Sequence, residues 1–149
     1  MGETRRKPIL VVDDDPIDRE MIELAFKRAG VESPIVAVED GQEALDYLQA
    51  QGRFRSRSSG DLPNLIVLDL DMPRMDGFEF LRQIKAHQDF TSIPVVVLTT
   101  SQYDRDLARS YALGASSCIA KPGNFEQLVE IARALGAYWC DLNRVPQAG

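Results

Sequence analysis

Asn64-Leu65-Ile66-Val67-Leu68-Asp69-Leu70-Asp71-Met72-Pro73-Arg74-Met75-Asp76-Gly77 is the stretch whose reading decides the fold. An apolar run closed by carboxylates reads as a buried strand that delivers Asp69 to a surface at its C-terminal end. Pro73 and Gly77 mark a loop, and Asp76 stands where the N-cap of the next helix belongs. A carboxylate at the mouth of such a strand has two natural uses. It can bind a hard cation such as Mg2+, or it can attack phosphorus.

Upstream, Pro8 to Val12 is a short apolar run that ends in Asp13-Asp14-Asp15-Pro16. It reads as a first strand followed by a helix with Asp15 as N-cap and Pro16 at N1. That helix places Ile17, Met21, Leu24, Ala25 and Arg28 near one face and stops at Gly30. Ile35 to Val38 is a second strand. Asp40 caps a second helix with Ala44, Leu45 and Leu48 inward. Gln49 to Leu62 is a long basic loop in which Arg53, Arg55 and Arg57 alternate with Ser, Gly and Phe54. It reads as a solvated insertion or as a contact for an acidic partner.

Downstream of the central stretch, Phe78, Leu81, Ile84 and Lys85 share the register of a third helix. Pro94 to Leu98 is a fourth strand that ends at Thr99-Thr100-Ser101. A fourth helix runs from about Tyr103 to Leu113 and closes at Gly114. Ser116 to Ala120 is a weaker fifth strand that ends at Lys121-Pro122, and Asn124 caps the last helix. Five strands alternating with five helices imply an α/β fold with a parallel sheet covered by helices on both faces. Right-handed crossovers make it doubly wound. In such folds the site lies at the carboxyl ends of the strands, at the switch point. Asp13, Asp14, Asp69, Thr99 and Lys121 all fall at such ends.

The bulk properties narrow the choices. A chain of 149 residues is expected to form one domain. A net charge of −6 argues against a nucleic-acid-binding module. No apolar stretch approaches the roughly 20 residues that span a bilayer, and the polar start, Met1 to Lys7, is not a secretory signal. Cys118 and Cys140 make neither a disulfide framework nor a zinc site, so the expected location is the cytoplasm. His87, the single histidine, sits in a polar stretch and reads as a surface residue. No catalytic His or Cys is expected.

In the flavodoxin-like strand order 2-1-3-4-5, strands one and three are central neighbours, so Asp13, Asp14 and Asp69 converge. Clustered carboxylates raise one another's pKa, and a cation removes that penalty. All-oxygen ligands with room for water suit Mg2+ or Mn2+. Asp69 can then attack a phosphoryl donor in line, with Lys121 and the Thr99 hydroxyl on the phosphoryl oxygens. No general base is needed, because a carboxylate is already ionised at neutral pH.

These motifs together resemble the receiver domain of two-component response regulators over nearly the whole chain. The residues that carry the resemblance are Val12-Asp13-Asp14-Asp15-Pro16, Leu68-Asp69-Leu70-Asp71-Met72-Pro73 with Met75-Asp76-Gly77, Leu98-Thr99-Thr100, and Lys121-Pro122. The resemblance implies a single receiver domain over 1–149, with its core at about 8–135 and an extended C-terminal helix and tail at about 136–149. It implies Asp69 as phosphoacceptor from a sensor histidine kinase. Asp14 and Asp69 would ligate Mg2+ directly, the Asp71 backbone carbonyl would be a third ligand, and Asp13 would act through water. It also implies Thr99 and Lys121 as phosphoryl contacts and a cis peptide between Lys121 and Pro122.

Two departures qualify the resemblance. Cys118 stands where the family usually carries an aromatic switch residue, and Tyr103 and Tyr111 are the nearby candidates to replace it. The last helix places Leu128, Ala132, Leu135, Trp139 and Leu142 along one stripe, with Ala137, Tyr138 and Cys140 on other faces. Such an apolar, aromatic end reads as a homodimer or partner surface carried by Tyr138, Trp139 and Leu142, or as a tail folded back on its own core. With the Arg-containing loop it is similar to response regulators paired with bacterial phytochromes. Only Asn143 to Gly149 follows, so output is expected through protein contacts or through phosphate relay to another protein.

Two other readings remain open at this point. Asp69-Leu70-Asp71 also resembles the Asp-x-Asp motif of haloacid-dehalogenase-type phosphatases, with Asp69 as nucleophile and Asp71 as acid/base. That family usually places the motif on its first strand and adds a cap domain. The third reading is a receiver-like interaction module that is never phosphorylated.

Overall fold

Ile9–Val12, Ile35–Val38, Leu65–Leu68, Val95–Thr99 and Ser117–Ala120 form β1 to β5 of one parallel sheet, ordered β2-β1-β3-β4-β5. The structure is a computed structural model that describes residues 6–57, 62–72, 75–100 and 103–143. Pro73, Ser101, residues 58–61 of the basic loop, and the tail from 144 onward lie outside the described residues. β1, β3 and β4 are fully buried aliphatic runs, because helices cover both sheet faces. The two edge strands, β2 and β5, are partly exposed.

Alternation along each strand feeds two cores. Leu10, Val12, Ile66, Leu68, Val95 and Val97 face α2 (Gly41–Gln49) and α3 (Gly77–Ala86). Ile9, Val11, Leu65, Val67, Val96 and Leu98 face α1 (Pro16–Arg28) and α5 (Phe125–Leu135). α4 (Asp104–Ala112) lies beside the β5 edge and buries Ser110. The strand order and the two-sided helical cover are those expected from the sequence.

Side-chain caps place the helix starts. Asp15 accepts from the amides of Ile17 and Asp18, Asp40 from Glu43, Asp76 from Glu79, and Asn124 from Gln127. Each satisfies an amide that the helix itself leaves without a partner. Lys85 is half-buried, and its ammonium donates to the carbonyls of Thr91 and Ile93.

Three expectations are corrected. First, the buried face of α1 is Ile22, Ala25 and Phe26, whereas Ile17 is 69% exposed and Leu24 44% exposed. Two apolar stripes lie side by side on this helix, and the one carrying the large Phe26 ring takes the core. Second, the chain beyond Leu135 widens into a π-helical stretch over Gly136–Leu142, with the Asn143 amide donating to the Tyr138 carbonyl. The wider turn breaks the 3.6-residue stripe. Trp139 packs against the α1/α5 core, while Leu142 is 71% exposed. Third, no peptide bond among the described residues is cis, so Lys121-Pro122 is trans. The trans form is the lower-energy isomer even before proline, and the Lys121 side chain reaches the carboxylates from it.

The basic loop is tied to its own neighbours. The Arg57 guanidinium donates to the Tyr47 and Leu48 carbonyls at 2.7 Å each, closing the C-terminus of α2. Arg53 pairs with Glu43. Arginine at a helix C-terminus satisfies orphan carbonyls and complements the dipole.

Candidate functional site

β1 and β3 pair in register, Val12 opposite Leu68, so the next residues, Asp13 and Asp69, emerge side by side. The backbone continues the ladder past the strands: Asp69 N–H donates to Val12, Asp13 N–H to Val38, and Lys121 N–H to Thr99. Ligand oxygens of Asp13, Asp14 and Asp69 all lie within 4.8 Å of one another. Asp13 and Asp69 are buried, and Asp14 is exposed at the rim. Such an all-oxygen trio suits a divalent cation of the Mg2+ or Mn2+ type.

Lys121 stands across the cleft, with its Nζ 2.8 Å from Asp13, 2.9 Å from Asp18 and 3.8 Å from Asp69. Thr99 is buried at the tip of β4, the next strand over. Asp71 follows Asp69 with an exposed side chain, and its backbone N–H donates to the Asp69 carboxylate. The structure therefore brings Asp13, Asp14, Asp69 and Lys121 together and sets Thr99 on the neighbouring strand tip.

Burial is the largest influence on the Asp69 carboxyl. It pushes the pKa up to about 6; the Lys121 charge opposes, the Asp13 charge adds, the Asp71 amide opposes and the Asp14 charge adds. Burial also raises Asp13, against its hydrogen bond from Lys121. Burial alone would lower Lys121, but its hydrogen bonds to Asp13 and Asp18 prevail and raise it above the usual lysine range. Desolvation thus outranks carboxylate repulsion at Asp69, and a bound cation would relieve both.

Gly77 shapes the loop beneath the site. A Cβ there would meet the Asp69 carbonyl at 2.5 Å and Leu70 Cα at 2.7 Å, so the strand tip and the start of α3 approach at a distance that excludes any side chain.

Several contacts escaped the sequence reading. Asp18 reaches Lys121 from the first turn of α1, and Arg19 donates to the Asp13 carbonyl at 2.8 Å. Cys118 lines a mainly apolar cavity of about 260 Å³ between α4 and β5, beside Thr99 and Tyr103. The Tyr111 hydroxyl accepts from the Cys118 amide. His87 stacks on Phe90, and its Nδ1 accepts from the Asp89 amide, so it serves a turn away from the site.

An acidic trio facing a lysine at the strand ends of a 2-1-3-4-5 sheet defines a receiver-type centre. Residues 9–133 match the response regulator receiver domain family, and the chain belongs to that family. It is similar to the probable methanogenesis regulatory protein FilR2 of Methanothrix harundinacea, at 41% identity over 93% of this chain and 86% of that protein. It is also similar to the response regulator Rcp1 of Synechocystis sp., at 34% identity over 95% of each chain. Among solved structures, the phosphorylated cyanobacterial phytochrome response regulator RcpA superposes with a TM-score of 0.86 at 36% identity, covering 95% of this chain and 99% of that one. The Mn2+-bound form of Rcp1 gives 0.82 at 34% identity, covering 94% of this chain and 99% of that one. The dehalogenase-type reading called for the Asp-x-Asp pair on a first strand; here it follows β3 of a receiver sheet. Among the described residues, no helix is long and apolar enough to cross a membrane.

Proposed function

We propose that the protein accepts a phosphoryl group on Asp69 from a sensor histidine kinase, in a reaction that requires Mg2+ or Mn2+, and signals through protein contacts. The observation that carries this reading is the convergence of the Asp13, Asp14 and Asp69 carboxylates within 4.8 Å, with the Lys121 ammonium facing them. Asp14 and Asp69 would hold the cation, with the Asp71 backbone carbonyl as a third ligand and Asp13 acting through water. The cation supplies charge neutralisation at the transferring oxygens when bound.

An Asp69 carboxylate oxygen attacks phosphorus in line. The new P–O bond forms as the P–N bond to the donor histidine breaks, and the imidazole leaves with the electron pair. With its pKa at about 6, Asp69 is ionised at neutral pH and needs no base. Lys121 meets charge on one phosphoryl oxygen, and the Thr99 hydroxyl donates to another.

Likeness to RcpA supports a bacterial phytochrome as the kinase. A cytoplasmic location follows from such a partner. We extend the proposal to a homodimer built on the last helix, where Tyr138 and Leu142 are exposed.

The test is incubation with Mg2+ and acetyl phosphate followed by intact mass measurement. One added phosphoryl group is expected, and Asp69→Asn abolishes it. A folded wild-type protein that takes no label, even from its cognate kinase, overturns the reading.

A further inference from the structure

Lys121 has a carboxylate partner that the receiver motifs do not contain. Asp18 is the third residue of α1, after Pro16 and Ile17. An acid in a first helical turn is explained by the helix dipole alone, and such a side chain would point to solvent. This one turns into the cleft instead, 2.9 Å from Lys121 Nζ. An ammonium has three protons to give. Asp13 and Asp18 take two, at 2.8 Å and 2.9 Å, and the Asp69 oxygen at 3.8 Å lies beyond hydrogen-bond range. Asp13 is also a member of the carboxylate trio, so it is shared; Asp18 is outside that trio.

We propose that Asp18 is a positioning residue that holds the Lys121 ammonium on the α1 side of the cleft, facing Asp69 without bonding to it. This inference rests on Asp69 being the phosphoacceptor. The tether does two things at once. It leaves the attacking oxygen of Asp69 free of a hydrogen bond that transfer would have to break, with the ammonium 3.8 Å away. It also keeps the ammonium where an incoming phosphoryl oxygen can reach it, so little reorganisation accompanies the reaction. Without Asp18, Lys121 can swing onto Asp69 and cover the nucleophile. The pair is not an ordinary surface ion pair: the Lys121 side chain is 14% exposed and that of Asp18 41% exposed, so solvent screens it from the Asp18 side alone.

The test uses the full chain at saturating Mg2+ with acetyl phosphate as donor. Asp18→Ala is expected to slow labelling of Asp69 roughly tenfold, the scale of one lost charge-assisted hydrogen bond. Asp18→Glu restores most of the rate. In a Lys121→Ala background, Asp18→Ala has no further effect, because Asp18 acts through Lys121. A structural role would cost the same in both backgrounds. The nitrogen-15 signal of the Lys121 ammonium, read without Mg2+, is protected from exchange in the wild type and broadened in Asp18→Ala. An unchanged or faster rate, an equal loss without Lys121, or an ammonium signal indifferent to Asp18 overturns the proposal. Unlabelled wild type instead overturns the phosphoacceptor reading, and the ammonium signal then still decides whether Asp18 holds Lys121.

Discussion

Asp69 is 7% exposed, and its carboxyl titrates near pH 6 because burial removes its water faster than Lys121 compensates. The ordinary value is 3.8. Between these two values the folded chain holds a proton that the unfolded chain has lost, so stability falls as pH rises through the window. Above it the penalty is complete, on the order of 3 kcal/mol in the metal-free protein. Asp69→Asn removes the charge and keeps the shape. Its thermal midpoint is therefore expected to exceed that of metal-free wild type at neutral pH by several degrees, at roughly 2–4 °C per kcal/mol for a chain of this size. The gap closes well below pH 3.8, where both folded and unfolded Asp69 are protonated, and Mg2+ narrows it at neutral pH by stabilising wild type more than the variant. Thermal melts across pH decide it; a difference that is the same at acid and neutral pH would show that ionisation of Asp69 is not the cause. At this scale the sequence was informative where a strand ends. Asp13, Asp14 and Asp69 follow buried aliphatic runs, Lys121 follows the mixed strand Ser117–Ala120, and a parallel register carries them to one place. Asp18 was illegible because a helix dipole already accounts for an acid in a first turn. Arg19 was illegible because its target is a carbonyl, which leaves no mark on the sequence.

The strands were the most readable elements, since burial on both faces demands unbroken aliphatic runs. Helix faces were less so. α1 carries two neighbouring apolar stripes, and the choice between them depends on what α5 offers opposite. The end of α5 was misread because a π-turn changes the period, and nothing local in Gly136-Ala137-Tyr138 announces one. The structure does show what Gly136 is for. A Cβ at that position would stand 2.4 Å from Val31 Cγ2, at the junction of α1 and the last helix. Intrinsic propensity favours alanine over glycine in a helix by up to about 1 kcal/mol. Overpacking a buried contact costs about 1–3 kcal/mol, so the clash decides the sign. Gly136→Ala is expected to lower the denaturant midpoint, and adding Val31→Ala to recover part of the loss. If Gly136→Ala proves neutral or stabilising, α1 and the last helix are not held at the observed spacing.

Among the described residues, the large apolar side chains left exposed lie in three parts of the fold: Ile17 and Leu24 on α1, Tyr103 at the N-cap of α4 with Leu107 and Tyr111 along it, and Tyr138 and Leu142 at the C-terminal end. Arg6 pairs with both Glu32 and Asp141, which links the π-helical stretch to the segment after α1 through exposed ion pairs. Trp139 turns inward against the α1/α5 core while Tyr138, in edge contact with it at 4.7 Å between ring centroids, turns outward. The folded-back reading of this segment therefore holds for Trp139, which covers the chain's own core, while Tyr138 stays exposed on the surface proposed for a partner. The distinction changes which substitution tests the dimer. Trp139→Ala would loosen the fold as well as any interface, so a monomeric product would be ambiguous. Tyr138→Asp and Leu142→Asp place charge at positions 51% and 71% exposed, where folding is indifferent and a desolvated interface is not. Sedimentation equilibrium of the full chain is expected to give a dimer for wild type and a shift to monomer for Tyr138→Asp combined with Leu142→Asp, with unchanged thermal midpoints in dilute solution. Leu107→Asp on α4 serves as the comparison and is expected to remain dimeric. A wild type that stays monomeric at high concentration, or dissociation by Leu107→Asp in place of the C-terminal pair, would move the interface off the last helix.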